Sequence, residues 1–331
     1  GTPLGRRRGL LSRAKSLPAA GFASLGLRSP SSPSSAASSS AGALLATAGA
    51  AAQTGAAAAP TSSYLLRRVI VGHDPTVRAT VEREVQVLRT LGAHPHILPL
   101  VASCHRENPL GTSEALLLYE ACPISLLSFL RLAAASRRSG QAPGASPRSP
   151  RDKGLEALAA RGLEEGEICS MMRQICSGLA ALHSASPTKL IHRSVSPHNI
   201  LLSPQCVGGA STAPCTVKLT GLASVSAGDQ PLVTASQRAE QEAHIRRHTK
   251  PEFCAPEMID LRRAQAIDEK VDIWAMGCVF YSLLFGCSPF AKEGNAGILS
   301  GTVSIPASEC YLFLNFSSFK QLLERFFTPT P

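Results

Sequence analysis

The stretch Leu190–Leu202, LIHRSVSPHNILL, brings together an imidazole (His192), a guanidinium (Arg193), two hydroxyls (Ser194 and Ser196) and a carboxamide (Asn199). It contains no carboxylate. Serine has no accessible basic form near pH 7, so this loop lacks a general base of the kind typically worth about 10² to 10⁴-fold in rate. A second stretch, VKLTGLAS from Val217 to Ser224, has Gly221 at its turn and again no acid. No lysine occurs between Lys15 and Lys153, so the cations of the first β-rich stretch, YLLRR, are Arg67 and Arg68, and EREV after it carries carboxylates, Glu84 among them. Arginine keeps the charge of a lysine, but its planar fork places its donors differently, and the two are not equivalent at a phosphate.

These groups need elements to hold them. YLLRRVIV (64–71) is β-rich, and TVRATVEREVQVLRTL (76–91) repeats apolar residues at helical spacing, with Val81, Val85, Leu88 and Leu91 on one face. HILPLVASC and SEALLLYEAC are short and apolar enough for strands, and SLLSFLRLA follows as a helix. EICSMMRQICSGLAALHSA (167–185) carries the apolar stripe of a long helix. The order is strand, helix, strand, strand, then a mainly helical region. IWAMGCVFYSLLFGC (273–287) is the longest apolar run of the folded region; with 15 residues and Asp272 at its start it suits a buried core helix better than a membrane span.

Composition divides the chain. The formal charge is +10, but residues 1–73 hold eight Lys/Arg and no acid, and 131–153 hold six against the single Asp152. The basicity therefore lies in segments with too little apolar surface to offset the entropy of ordering them, not on a folded face, and this argues against nucleic-acid binding. Residues 1–16 form a basic disordered N-terminus, 29–60 a Ser/Ala-rich disordered insert, and 133–163 a second disordered insert with Ser-Pro pairs. The Arg- and Ser-rich start also fits the composition of an organelle transit peptide. None of the ten cysteines forms a CxxC pair, and Cys169 and Cys176 share one side of a helix. Small buried thiols in a reducing compartment are expected over disulfides or zinc.

The chain resembles a protein kinase domain, and more narrowly the Numb-associated kinase family. The resemblance is carried by LIHRSVSPHNILL, VKLTGLAS, CAPEMIDL and EKVDIWAMGCVFYSLLFGCSPF in that order, and the narrower likeness by EQEAHIRRHTKPEFCAPEMIDL and ILSGTVSIP. It implies an α+β, bilobal fold: an N-lobe over 17–122 with a helix C, and a larger, mainly helical C-lobe over 123–331 that lacks its last helices. A phosphate-binding loop falls on LPAAGFASL, where only Gly21 is kept; Pro18, Ala19 and Ala20 stiffen the turn. Arg67 takes the place of the phosphate-binding lysine and Glu84 that of its helix C partner. Tyr119 narrows the back of the nucleotide pocket, and Glu120 to Cys122 supply the hinge. Ser194 and Ser196 fall where the base and a second lysine belong. Gly221 falls where the metal-binding aspartate belongs.

Each replacement weakens phosphoryl transfer at a separate step. Mg²⁺ takes near-octahedral oxygen ligands and usually one or two carboxylates, so Asn199 alone would hold it weakly. Asp229, eight residues after Gly221, is an unpromising stand-in because it lies on the activation segment. In the resemblance His192 and Arg193 are structural, the arginine pairing with the activation segment, and Leu88, His192 and Leu222 form an apolar spine between the lobes. Asp272, Trp274 and Glu257 are kept, while the usual arginine partner of Glu257 would fall beyond Pro331. The expectation is a catalytically impaired pseudokinase acting as a scaffold or allosteric partner of a kinase or trafficking adaptor, in a cytoplasmic setting linked to clathrin-mediated traffic. ATP binding is expected to be weak and Mg²⁺ binding weaker still. The alternatives are an active serine/threonine kinase with a non-standard site, and a metal-independent ATP-sensing switch.

Overall fold

The computed structural model describes residues 63–107, 112–122, 124–139, 150–203, 215–305, 321, 323 and 325–327. The expectations for 1–16, Gly21 and 29–60 lie outside these residues. β1 (Tyr64–Ile70) pairs antiparallel with β3 (Ser113–Glu120), which pairs antiparallel with β2 (Leu100–Glu107), in the order β1-β3-β2. Alternation along β1 turns Leu65, Arg67 and Val69 to one face, and the register sets Arg67 opposite Leu117.

α1 (Pro75–Leu91) begins where Asp74 accepts a hydrogen bond from the Thr76 amide, with proline in the first turn, and ends at Gly92 with φ 65°. Its buried face carries Val81, Glu84, Val85, Val87 and Leu88. A carboxylate in that stripe demands a partner, because an uncompensated buried charge is costly.

The second region contains β4 (Ile124–Ser125), α2 (Leu126–Ser139), α3 (Pro150–Arg161), α4 (Glu165–His183), β5 (Leu190–Ile191), β6 (Ile200–Leu202) and β7 (Val217–Leu219). There follow a 3-10 turn over Leu222–Ser224, β8 (Ser226–Ala227), β9 (Gln230–Pro231), α5 (Ala235–His248), α6 (Pro256–Ile259), β10 (Ala266–Ile267), α7 (Lys270–Phe285) and α8 (Gly294–Ser300). This is the α+β, bilobal kinase-like architecture. α7 is buried along nearly its whole length, as its apolar run requires, and Trp274 near its start stacks on Phe290 with ring centroids 5.6 Å apart. Among the described residues no helix is long and apolar enough to cross a membrane.

Two expectations are corrected. The segment 133–163 is not one disordered insert: α2 continues to Ser139 and α3 covers Pro150–Arg161. Leu155, Ala159 and Leu163 recur at helical spacing and are buried, with α3 packed on α2, so three apolar side chains outweigh a composition rich in Ser, Pro and Arg. Residues 140–149 lie outside the description. The cysteines are also less uniform than expected. Cys122, Cys254 and Cys278 are buried free thiols, but Cys104, Cys169, Cys176 and Cys287 are exposed, and Cys215 is disulfide-bonded.

Candidate active-site region

Arg67 and Glu84 meet across the β1–α1 interface. Arg67 Nη1 donates to both Glu84 oxygens, at 3.0 and 2.8 Å, and Tyr119 Oη on β3 donates to Glu84 Oε1 at 2.8 Å. Glu84 is 2% exposed and the Arg67 side chain 27%. Burial works against the charged guanidinium, but Glu84, with Tyr119, outweighs it and holds Arg67 above its ordinary value. Burial, reinforced by Glu84, pushes the Tyr119 phenol up. Arg67 and Tyr119 therefore both stay protonated as the donors of the triad. The expected Arg67–Glu84 pair is present; the Tyr119 bond was not expected, since a residue read as narrowing the pocket also ties the sheet to α1.

At the hinge the Ala121 amide donates to Ser63 O at 2.9 Å, and the Glu120 carboxylate is paired with Lys218 Nζ on β7 at 2.9 Å. Cys122 is buried, which pushes its thiol up to about 12. Lys218 had not been singled out in the sequence, although it is one of the few lysines of the folded region.

The loop between β5 and β6 is organised by Asp272, which is fully buried on α7. Its carboxylate accepts from the His192 amide and the Arg193 amide, both at 2.7 Å, and from His183 Nε2 at 2.9 Å. Three donors on one buried carboxylate make a strong anchor. His192 is fully buried, and burial lowers its imidazole. The neutral ring accepts the Ser194 amide at Nδ1 and donates from Nε2 to Thr220 O at 3.0 Å. Leu88, His192 and Leu222 are all buried, and the Leu222–Ser224 turn packs against α1.

Arg193 departs from its implied role. Its φ is 63°, and its buried Nε and Nη2 have no hydrogen-bond partner among the described residues. Burial depresses the guanidinium to about 10, against the pull of Asp272. Its hydrogen bond to the activation segment is made through the backbone, where Thr249 Oγ1 donates to Arg193 O at 2.9 Å, while Glu240 on α5 attracts the guanidinium. Ser194 is 5% exposed and donates from Oγ to His248 O at 2.9 Å. Ser196 is 1% exposed and its Oγ has no hydrogen-bond partner among the described residues.

The residues at the magnesium position offer the ion one amide oxygen and no carboxylate, a poor match to its usual ligands. Asn199 is the one side-chain ligand candidate there among the described residues, and its Nδ2 donates to Ser194 O at 2.8 Å and Ser194 Oγ at 3.1 Å. Gly221 offers no carboxylate. Asp229 is bound to Lys189 at 2.7 Å, away from any such role, and that lysine also bonds Glu269. Among the described residues there is no cluster of three His, Cys, Asp or Glu able to hold a metal. Glu257 lines a separate cavity of about 660 Å³ with Asp268, Lys270 and Trp274, and burial raises its carboxyl.

Comparison with known proteins agrees with this geometry. The family model described as protein kinase domain matches residues 64–307. The chain is 31% identical over 245 residues to serine/threonine-protein kinase ppk30 of Schizosaccharomyces pombe, covering 73% of this chain and 22% of that protein. It is 30% identical over 255 residues to actin-regulating kinase 1 of Saccharomyces cerevisiae, covering 76% and 34%. Human serine/threonine-protein kinase 16 is 28% identical over 278 residues, covering 81% and 76%. The chain thus spans about a fifth to a third of the length of these two fungal relatives. With the lobes, the Arg67–Glu84 pair and the Asp272-anchored loop all in place, the chain belongs to the protein kinase domain family.

Proposed function

We propose that the chain is a catalytically impaired protein kinase of the Numb-associated type, acting as a scaffold or allosteric partner for other proteins. The observation that carries this reading is the Ser194 hydroxyl. It occupies the base position, cannot take up a proton at neutral pH, and is spent on the His248 carbonyl. Gly221 supplies no metal ligand, and Arg67 brings a planar fork to the position where the family has a lysine. Phosphoryl transfer is mostly positioning and electrostatic stabilisation, so it suffers from each of these together. The parts that fix shape are meanwhile kept: Asp272, His192, Leu222 and α7. The activation-segment stretch that carries the Numb-associated likeness forms α5 and α6 and presents a largely exposed helix to partners, for which a kinase or a trafficking adaptor in the cytoplasm is the expected class.

The names of the relatives favour a second reading, an active serine/threonine kinase using a non-standard site. A thermal-shift titration with ATP, with and without Mg²⁺, distinguishes these from a nucleotide switch, because a ligand of the folded state raises Tm by mass action. The scaffold reading predicts no Mg²⁺-dependent shift. A metal-independent shift would favour a switch, and a Mg²⁺-dependent one the active enzyme.

A further inference from the structure

Ser194, Asn199 and Gly221 fit one another more closely than their separate substitutions require. Gly221 has φ 82°, and a β-carbon built there would lie 2.6 Å from Asn199 Cγ, 2.7 Å from Nδ2 and 2.8 Å from Oδ1. All three distances are far inside van der Waals contact, so the Asn199 carboxamide stands in volume that any side chain at 221 would need. The carboxamide is held there by Ser194, whose backbone oxygen and Oγ both accept from Nδ2. The same hydroxyl donates its proton to His248 O, at the last residue of α5.

That carbonyl is one of the four that a helix leaves without an intrahelical partner at its C-terminus. Ser194 therefore caps α5 from another element, and Thr249 Oγ1 makes a reciprocal bond to Arg193 O. A hydroxyl can accept from an amide and donate to a carbonyl at once. An aspartate at 194 could accept from Asn199, but it would face the His248 carbonyl with two acceptors opposed.

We propose that Ser194, Asn199 and Gly221 form a lock built into the volume of the missing magnesium site, and that this lock, with neither metal nor nucleotide, fixes the end of α5 on the loop. The inference goes beyond the scaffold role, which would survive its failure: it concerns how the surface is held, and its tests involve no transfer assay. One consequence is that the lost residues cannot be restored singly. Gly221→Asp collides with Asn199, and Ser194→Asp uncaps α5.

Three measurements test it. Hydrogen exchange in Ser194→Ala, a small change at a buried site, should quicken at the α5 amides Ile245 to Thr249 by about fivefold, the loss of one bond of ordinary strength. Unchanged exchange there would overturn the proposal. In a thermal cycle, Gly221→Ala should lower Tm by on the order of 6 °C in the native background, and by about half as much when Asn199→Ala has cleared the space. An equal loss in both backgrounds would overturn it. If Gly221→Ala does not fold, the exchange measurement decides alone. In Gly221→Asp, ATP with MgCl₂ should raise Tm no more than ATP alone; a magnesium-dependent gain would mean the volume is free and the lock does not exist.

Discussion

Replacing Arg67 by methionine removes the guanidinium while keeping a long apolar side chain against α1. Glu84 is then left 2% exposed with the Tyr119 hydroxyl as its remaining partner among the described residues. Breaking a buried ion pair from one side costs about 3–5 kcal/mol, because the other charge stays behind uncompensated. Since Arg67 is itself 27% exposed, part of its interaction is screened by solvent and the lower end, about 3 kcal/mol, applies. For a domain of this size that corresponds to roughly 6–12 °C in Tm. The double variant Arg67→Met/Glu84→Leu removes both charges and replaces them with apolar volume, so it should recover most of the loss. Urea denaturation of the native protein, both single variants and the double gives the cycle. The account fails if Arg67→Met costs less than about 1 kcal/mol, or if the double variant loses the sum of the two singles, since either result would mean that Glu84 does not depend on Arg67.

Tyr119→Phe should cost about 1.5 kcal/mol by urea denaturation, the usual effect of deleting a hydrogen bond to a charged group, because it removes one bond to Glu84 without changing shape. Stability should also fall on acidification from near pH 6.5 towards pH 4. Burial, then the neighbouring Arg193 and His248, lowers His244 to about 3, and burial with Arg247 lowers His248 to about 4. In that window the unfolded chain binds protons that the folded one refuses, so stability rises with pH, and His244→Gln should flatten the profile measured by thermal melts. Leu155→Ala should cost about 2–3 kcal/mol with an unchanged denaturant slope, because Leu155 is buried between α3 and its neighbours. No change in the midpoint would mean that α3 does not pack.

What could be read from the sequence follows from the kind of signal each feature leaves. α1 was legible because Val81, Val85 and Leu88 repeat at helical spacing, and Glu84 stood out within that stripe. The Arg67–Glu84 pair was legible through the resemblance to a kinase domain, which puts Arg67 at the lysine position and Glu84 at that of its helix C partner. α3 was hidden, since Leu155, Ala159 and Leu163 are diluted by serine, proline and arginine, and their value depends on α2 lying beside them. The bond from Tyr119 to Glu84 spans 35 positions and depends on the β1–β3 register. The Ser194–His248 bond was least legible of all: its acceptor is a backbone carbonyl, which every residue has, 54 positions away. Arg193 shows the reverse error. A guanidinium on such a loop suggests a paired side chain, but its contacts run through its backbone groups.

The central claim is that this fold retains the shape of a kinase without the means of phosphoryl transfer. It is tested most directly by the rate of γ-phosphate transfer from ATP to a general acceptor protein with Mg²⁺, measured beside the Glu84→Ala/Asn199→Ala variant. The account predicts that native protein and variant give the same rate, at the level of the assay without protein. Transfer by the native protein clearly above that of the variant would contradict it.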